Sequence, residues 1–213
     1  MTTKAFRERL ERRAARARVA VPPDAAEPLE TYFRLLVRWN QKVNLTALAL
    51  GSLTDATIDR LLIEPLAAAG RIDDAWSPWI DLGSGGGSPA IPLKLVRPAL
   101  SLTMVESKAR KAAFLREAVR ELRIEAATVE TARFEAMAQC LGSAAVGLVT
   151  VRGVRVDDSL AVAIRSVLRD GAHLLIFSSA PTHEPLAGFV AAKPVRLVPE
   201  PTHPAWLIDL RRD

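Results

Sequence analysis

DLGSGGGSPA, residues 81–90, is the stretch on which the reading of this chain turns. It follows an apolar approach, Trp79-Ile80, and closes at Pro89, which opens a new segment. A buried strand running into a tight glycine turn and then a helix holds the phosphate, ribose or carboxylate end of an adenosine cofactor. Gly83, Gly85 and Gly87 let the backbone turn sharply and approach a ligand that a Cβ would push away. A nicotinamide fingerprint, G-x-G-x-x-G, would need glycine at 88, where this chain has serine, and would open the domain's first strand.

Outward from the loop the two sides differ. Upstream, residues 1–18 read as a helix, Pro22-Pro23 interrupt it, and Asp24 is placed to cap a second helix. That helix carries Leu29, Tyr32, Phe33, Leu36, Val37 and Trp39 close to helical spacing. Residues 40–47 (NQKVNLTA) end it in a polar turn, and residues 54–69 read as a third helix with Pro65 late in it. Downstream, strands at 79–82, 100–105, 126–129, 146–151 and 173–177 are interleaved with helices at 91–96, 108–122 and 158–168. A proline-rich tail ends in a final strand at 205–210. This alternation predicts an α/β fold with an open, mostly parallel sheet. The expected division is a helical N-terminal extension over 1–75 and the sheet domain over 76–213.

Composition narrows the setting. With 213 residues, 49% of them hydrophobic, the chain can bury a sizeable core. It has no apolar run long enough to span a bilayer, and its N-terminus lacks the apolar core of a signal peptide, so a cytoplasmic protein with no membrane partner is expected. The single cysteine, Cys140, excludes an internal disulfide and a cysteine-cluster zinc site; it is expected to be a small buried core residue, and no metal is expected. A monomer is expected. The net charge of +5 favours anionic partners, nucleic acid above all. Lys4, Arg7, Arg9, Arg12, Arg13, Arg16 and Arg18 crowd residues 1–18, either as a solvated helix face or as a basic arm on an RNA backbone.

The strand ends carry the candidate site. Glu106 closes the second strand, where an acid accepts both ribose hydroxyls of an adenosine or caps the helix that follows. Arg133-Phe134-Glu135 follow the third strand, beside the expected adenine; Phe134 packs either on that ring or in the core. Arg152 ends the fourth strand, placed to pair with a phosphate or a cofactor carboxylate.

Taken together these landmarks resemble the bacterial 16S rRNA guanine-N7 methyltransferases, also called glucose-inhibited division protein B. Asp81 followed by x-G-x-G-x-G is similar to the cofactor loop of S-adenosylmethionine-dependent methyltransferases. Trp39-Asn40 with Asn44-Leu45-Thr46 resembles the family's WN-x-x-x-NLT segment, and Glu106-Ser107, Arg110-Lys111 and Phe114-Leu115 resemble its E-S-x-x-K-K-x-x-F-L run. Arg133 to Glu135 and Arg152 fall where the family has R-x-E and S-R-A. The resemblance covers roughly residues 29 to 178. It implies a Rossmann-like class I methyltransferase using S-adenosylmethionine to methylate guanine N7 in 16S rRNA, free or in the small-subunit particle. By it, Gly83, Ser88, Phe134, Glu135 and Arg152 contact the cofactor, alongside Gly85, Gly87 and Glu106.

Guanine N7 carries an in-plane lone pair, so alignment suffices and no catalytic base is required. His173, His183 and His203 are then ordinary residues. The chain departs from the family at Leu61 to Pro65 (LLIEP for H-x-x-D-S), at Ser88-Pro89-Ala90, at Gly153 and at Ser178-Ser179. These positions face the substrate side more than the cofactor side. An alternative is therefore a divergent methyltransferase-fold protein that binds RNA or a small-molecule acceptor, with an altered substrate or no catalysis. Gly86 to Ala90 also loosely resembles the nucleophile elbow of an α/β-hydrolase, with acids at 157 and 158 and His173 following in that order.

Overall fold

The computed structural model describes residues 2–141, 145–199 and 204–213. His203 and Pro201 lie outside them. Three helical segments come first: α1 (Thr3–Ala17), α2 (Ala26–Asn40), and a run made of α3 (Asp55–Ile58), a π turn (Asp59–Ile63) and α4 (Glu64–Ala69). The sheet follows as β1 (Trp79–Leu82), β2 (Leu102–Val105), β3 (Ala127–Glu130), β4 (Val146–Arg152), β5 (Leu168–Ser178), β6 (Phe189–Ala191), β7 (Val195–Arg196) and β8 (Trp206–Arg212). Between the strands lie α5 (Ala90–Val96), α6 (Ala109–Glu121), α7 (Phe134–Cys140) and α8 (Asp158–Val167).

The strand order is β3-β2-β1-β4-β5-β8-β6, with β7 also paired to β8. β1 to β5 run parallel, and β8 is antiparallel to β5. The central β4 is buried over all but its last residue, as expected of an apolar strand covered on both faces, whereas β3 at the edge alternates. Side chains divide by strand parity. Trp79, Leu148, Leu175, Phe177 and Leu207 point to one face, into a core shared with α1, α2, α4, α5 and α6. Ile80, Leu82, Val149, Val151, Leu174, Ile176 and Ile208 point to the other, under α7 and α8.

The N-terminal helices are therefore part of one packed layer. Phe6, Leu10 and Ala14 of α1 are buried, and the Phe6 ring lies 5.6 Å from that of Phe33. Arg13 is buried with them and donates from Nε to Asp59 at 2.8 Å, with a second bond from Nη2. Arg9 and Arg12 reach Asp55, and Arg7 reaches Glu30. Much of the basic run is thus neutralised by carboxylates far along the chain, a pairing that composition cannot reveal.

Several local expectations are corrected. The N-cap of α2 is Ala25 without a side-chain bond, not Asp24. α8 passes directly into β5, because Gly171 at φ +72° lets residues 169–172 bulge within a strand that begins at Leu168. β6 and β7 lie in the proline-rich tail and owe their existence to pairing with β8. Cys140 ends α7 on its exposed side, so it is not a core residue; Phe134 and Ala138 fill the buried face of that short helix.

Candidate active site

The sheet reverses its order at β1, with β2 and β3 on one side and β4 and β5 on the other. The crevice beyond the carboxyl ends of the strands at such a switch point is where open α/β sheets bind ligands. The glycine loop lies there. Gly83 and Ser84 donate their N–H groups to the Val105 carbonyl, and Gly87 donates to Ser84 across the turn at 2.6 Å. The Tyr32 hydroxyl, from α2, donates to the Gly86 carbonyl at 2.6 Å. Burial pushes the Tyr32 phenol far above its ordinary range, so it stays a donor.

A cavity of about 450 Å³ opens over the loop, lined by Gly83 to Gly86, Ser88, Glu106, Lys108, Lys111, Arg60 and Arg152 among others. Gly85 adopts φ +52°, and a Cβ there would meet only ordinary contacts, the nearest the Gly83 carbonyl oxygen at 3.6 Å. Gly87 does not line the cavity: at φ +83° it packs against Ile91 and Tyr32, where a Cβ would lie 2.5 Å from Ile91 Cδ1. Of the singled-out glycines, Gly87 shapes the loop from behind and Gly83 and Gly85 face the space.

Glu106 fulfils the capping reading while keeping capacity for the other. Its Oε1 accepts from Lys108 N–H at 2.8 Å, at the start of α6, and its Oε2 accepts from Gly85 N–H at 3.0 Å. A carboxylate has about four acceptor sites, so both oxygens can still receive a hydroxyl. An adjoining cavity of about 210 Å³ shares Gly83, Ser107 and Val154 with the first and is lined by Arg133, Phe134 and Glu135. Phe134 is buried in the α7–α8 core with an edge on this cavity, and Glu135 is exposed beside it.

Arg152 is more engaged than its position in the sequence implies. Its Nη2 donates to Glu64 at 2.8 Å, and its Nη1 donates to the Arg60 carbonyl and to Ser88 Oγ at 3.1 Å. The guanidinium carbon lies 4.5 Å from the Phe177 ring centre, a cation–π distance. Burial drops the Arg152 pKa to about 10, opposed by the Glu64 carboxylate, and it remains charged at neutral pH. Burial raises the Glu64 pKa, and Arg152 and Arg60 oppose the rise. Glu64 stands in the LLIEP stretch that departs from the family, and no local pattern signals that it would meet Arg152.

Beneath the loop, Asp81 accepts from the Thr150 hydroxyl at 2.5 Å, and that hydroxyl accepts from Trp79 Nε1 at 2.9 Å. Its second oxygen has no partner among the described residues. Burial pushes the Asp81 pKa up to about 6, with the Thr150 and Ser84 hydroxyls and Arg152 opposing. The folded value lies above the unfolded one of 3.8, so the contribution to stability is fully present below that value and is lost as pH rises through the folded one. Asp81→Asn keeps an oxygen for Thr150 and is expected to gain about 2 kcal/mol on the parent between pH 4 and pH 7. Urea denaturation across that range checks it; two parallel stability curves would refute it.

The hydrolase reading fails on geometry. Ser88 Oγ donates to the Leu61 carbonyl at 2.9 Å, whereas His173 stacks on Trp76 and bonds to Asp209 near the amino end of β1, opposite the loop.

The parallel sheet with one antiparallel strand, the glycine loop at the switch point and the acid ending β2 define a Rossmann-like class I methyltransferase, whose methyl donor is S-adenosylmethionine. Solved structures share the fold: an S-adenosylmethionine-dependent methyltransferase from Aquifex aeolicus superposes at TM-score 0.58 with 12% identity, covering 73% of this chain and 93% of that one. TrmN from Thermus thermophilus does so at 0.55 with 15% identity, covering 70% of this chain and 49% of that one. The family model GidB, rRNA small subunit methyltransferase G, matches residues 25–189, and the chain belongs to that family. Ribosomal RNA small subunit methyltransferase G of Xanthomonas axonopodis pv. citri is 38% identical over 168 residues, 78% of this chain and 74% of that protein. The protein of the same name from Stenotrophomonas maltophilia is 37% identical over 178 residues, 81% and 78% of the two. Among the described residues, no helix is long and apolar enough to cross a membrane.

The cavity fits the donor. Gly85 leaves open the space a Cβ would fill, Glu106 offers acceptor sites for ribose hydroxyls, and Lys108 and Lys111 line the wall with positive charge.

Proposed function

We propose that this protein methylates N7 of a guanine in 16S rRNA, as free RNA or within the small-subunit particle, in the cytoplasm. The observation that carries the proposal is the continuity of the donor cavity with a second, polar cleft. That cleft, about 520 Å³, lies beyond the ends of β4 and β5 and shares Arg60, Gly153 and Val154 with the first. Arg60, Arg155, Ser178, Ser179, His183 and Glu184 line it, two arginines and several hydrogen-bonding groups beside one carboxylate, a mix suited to a nucleotide.

In this reading Gly83, Gly85, Ser88 and Glu106 hold the donor, with Phe134 and Glu135 at its adenine end. Gly87 and Arg152 keep the loop in shape. S-adenosylmethionine supplies an electrophilic methyl group on a sulfonium. A guanine N7 would offer an in-plane lone pair that needs no proton removed, so no side chain of this protein would be required as a base. The residues of the chain then act by alignment and by excluding water.

Mass mapping of modified nucleosides in rRNA from cells with and without the protein tests this. Loss of one 7-methylguanosine from 16S rRNA is expected. An unchanged rRNA map with intact S-adenosylmethionine binding would replace it with the divergent reading, in which the acceptor is another molecule.

A further inference from the structure

We propose that the π turn at Asp59–Ile63 is a positioning element for the methyl-donor site and that Pro65 creates it. Residue 65 brings no backbone donor to the helix. In an α-helix the N–H of residue 65 would bond the Leu61 carbonyl, and in a π-helix it would bond the Arg60 carbonyl. Proline has no N–H, and its ring crowds the preceding turn. The remaining helical partner for the Arg60 carbonyl is the Glu64 N–H, and that group donates to Asp59 instead. These same two carbonyls are the ones the donor site uses: Arg152 Nη1 donates to Arg60, and Ser88 Oγ donates to Leu61 at 2.9 Å. Glu64, the next residue after the turn, takes the other arm of Arg152.

The far side of the turn is anchored as well. Asp59, its first residue, is buried against Arg13 of α1. α1 thus fixes the turn, the turn fixes Arg152 and Ser88, and Ser88 stands at the end of the glycine loop. Pro65 is a positioning residue in this scheme: it touches no substrate and acts by freeing the carbonyls that orient Ser88 and Arg152.

The inference rests on the reading that the cavity over the glycine loop holds S-adenosylmethionine, and the test separates the two. Pro65→Ala restores an N–H at residue 65 and lets the helix close its ladder. Titration calorimetry is expected to show S-adenosylmethionine binding about tenfold more weakly, the size of one lost hydrogen bond, while the melting temperature stays level or rises. A merely structural proline would lower affinity and melting temperature together, which would overturn the proposal. So would unchanged affinity in Pro65→Ala alongside lost binding in Gly85→Asp. If Gly85→Asp itself bound normally, the placement of the donor site would fall first, and this inference with it.

Discussion

Gly85→Asp is expected to abolish S-adenosylmethionine binding and to leave the protein folded. Gly85 lines the cavity with φ +52°, in the left-handed region where aspartate is among the better tolerated side chains. A Cβ there meets only ordinary contacts, at 3.6 Å and beyond, so the cost is confined to the left-handed backbone. The carboxylate, however, enters the space assigned to the donor and places a second negative charge beside Glu106, which already accepts from the Gly85 N–H. Calorimetry at saturating donor should register no heat, with the melting temperature within a few degrees of the parent. Retained affinity would remove the donor from this cavity. The same change at Gly87 is a poor test, because its side chain would strike Ile91 and damage the loop instead.

Glu64→Leu is expected to destabilise the protein by about 3–5 kcal/mol, the cost of stranding a buried charge whose partner is removed. The Arg152 side chain is 9% exposed and that of Glu64 only 4%, so water cannot replace the lost carboxylate. Arg60, a third exposed, can turn to solvent, but Arg152 is pinned by Ser88, the Arg60 carbonyl and Phe177. Urea denaturation at neutral pH gives the direct measure, a lower midpoint with an unchanged slope. The double variant Glu64→Leu, Arg152→Met removes both charges and should recover most of the stability, because apolar residues of similar volume replace a buried pair at little cost. Donor binding should be weak in the double variant, since Ser88 keeps the Leu61 carbonyl but has lost the Arg152 donor. Equal stability of parent and Glu64→Leu would mean that Arg152 is solvated in solution.

The legibility of this chain tracks the range of the interactions concerned. The glycine loop could be read because positive φ and tight turns are local demands, met by glycine at positions 83, 85 and 87. The parallel strands could be read because burial on both faces leaves nearly continuous apolar runs such as Val146 to Val151, broken only by Thr150. Glu106 and Arg152 could be placed at strand ends because alternating strands and helices fix which ends converge. The order of these landmarks was enough to point to the methyltransferase family before any contact was known.

Tertiary structure alone decided what the charged residues do. Composition showed a basic N-terminus; folding turned Arg13 inward against Asp59 and tied Arg9 and Arg12 to Asp55, so α1 became a wall of the core. Sequence put Arg152 beside a ligand; folding gave two arms of it to a π turn and a glutamate 88 residues away. Cys140 was expected inside because cysteine is small and apolar, and the short α7 left it outside. Backbone conformation is set by each residue and its near neighbours, so the glycine loop was written in ten letters. A buried charge is settled only by the partner that the whole fold delivers to it.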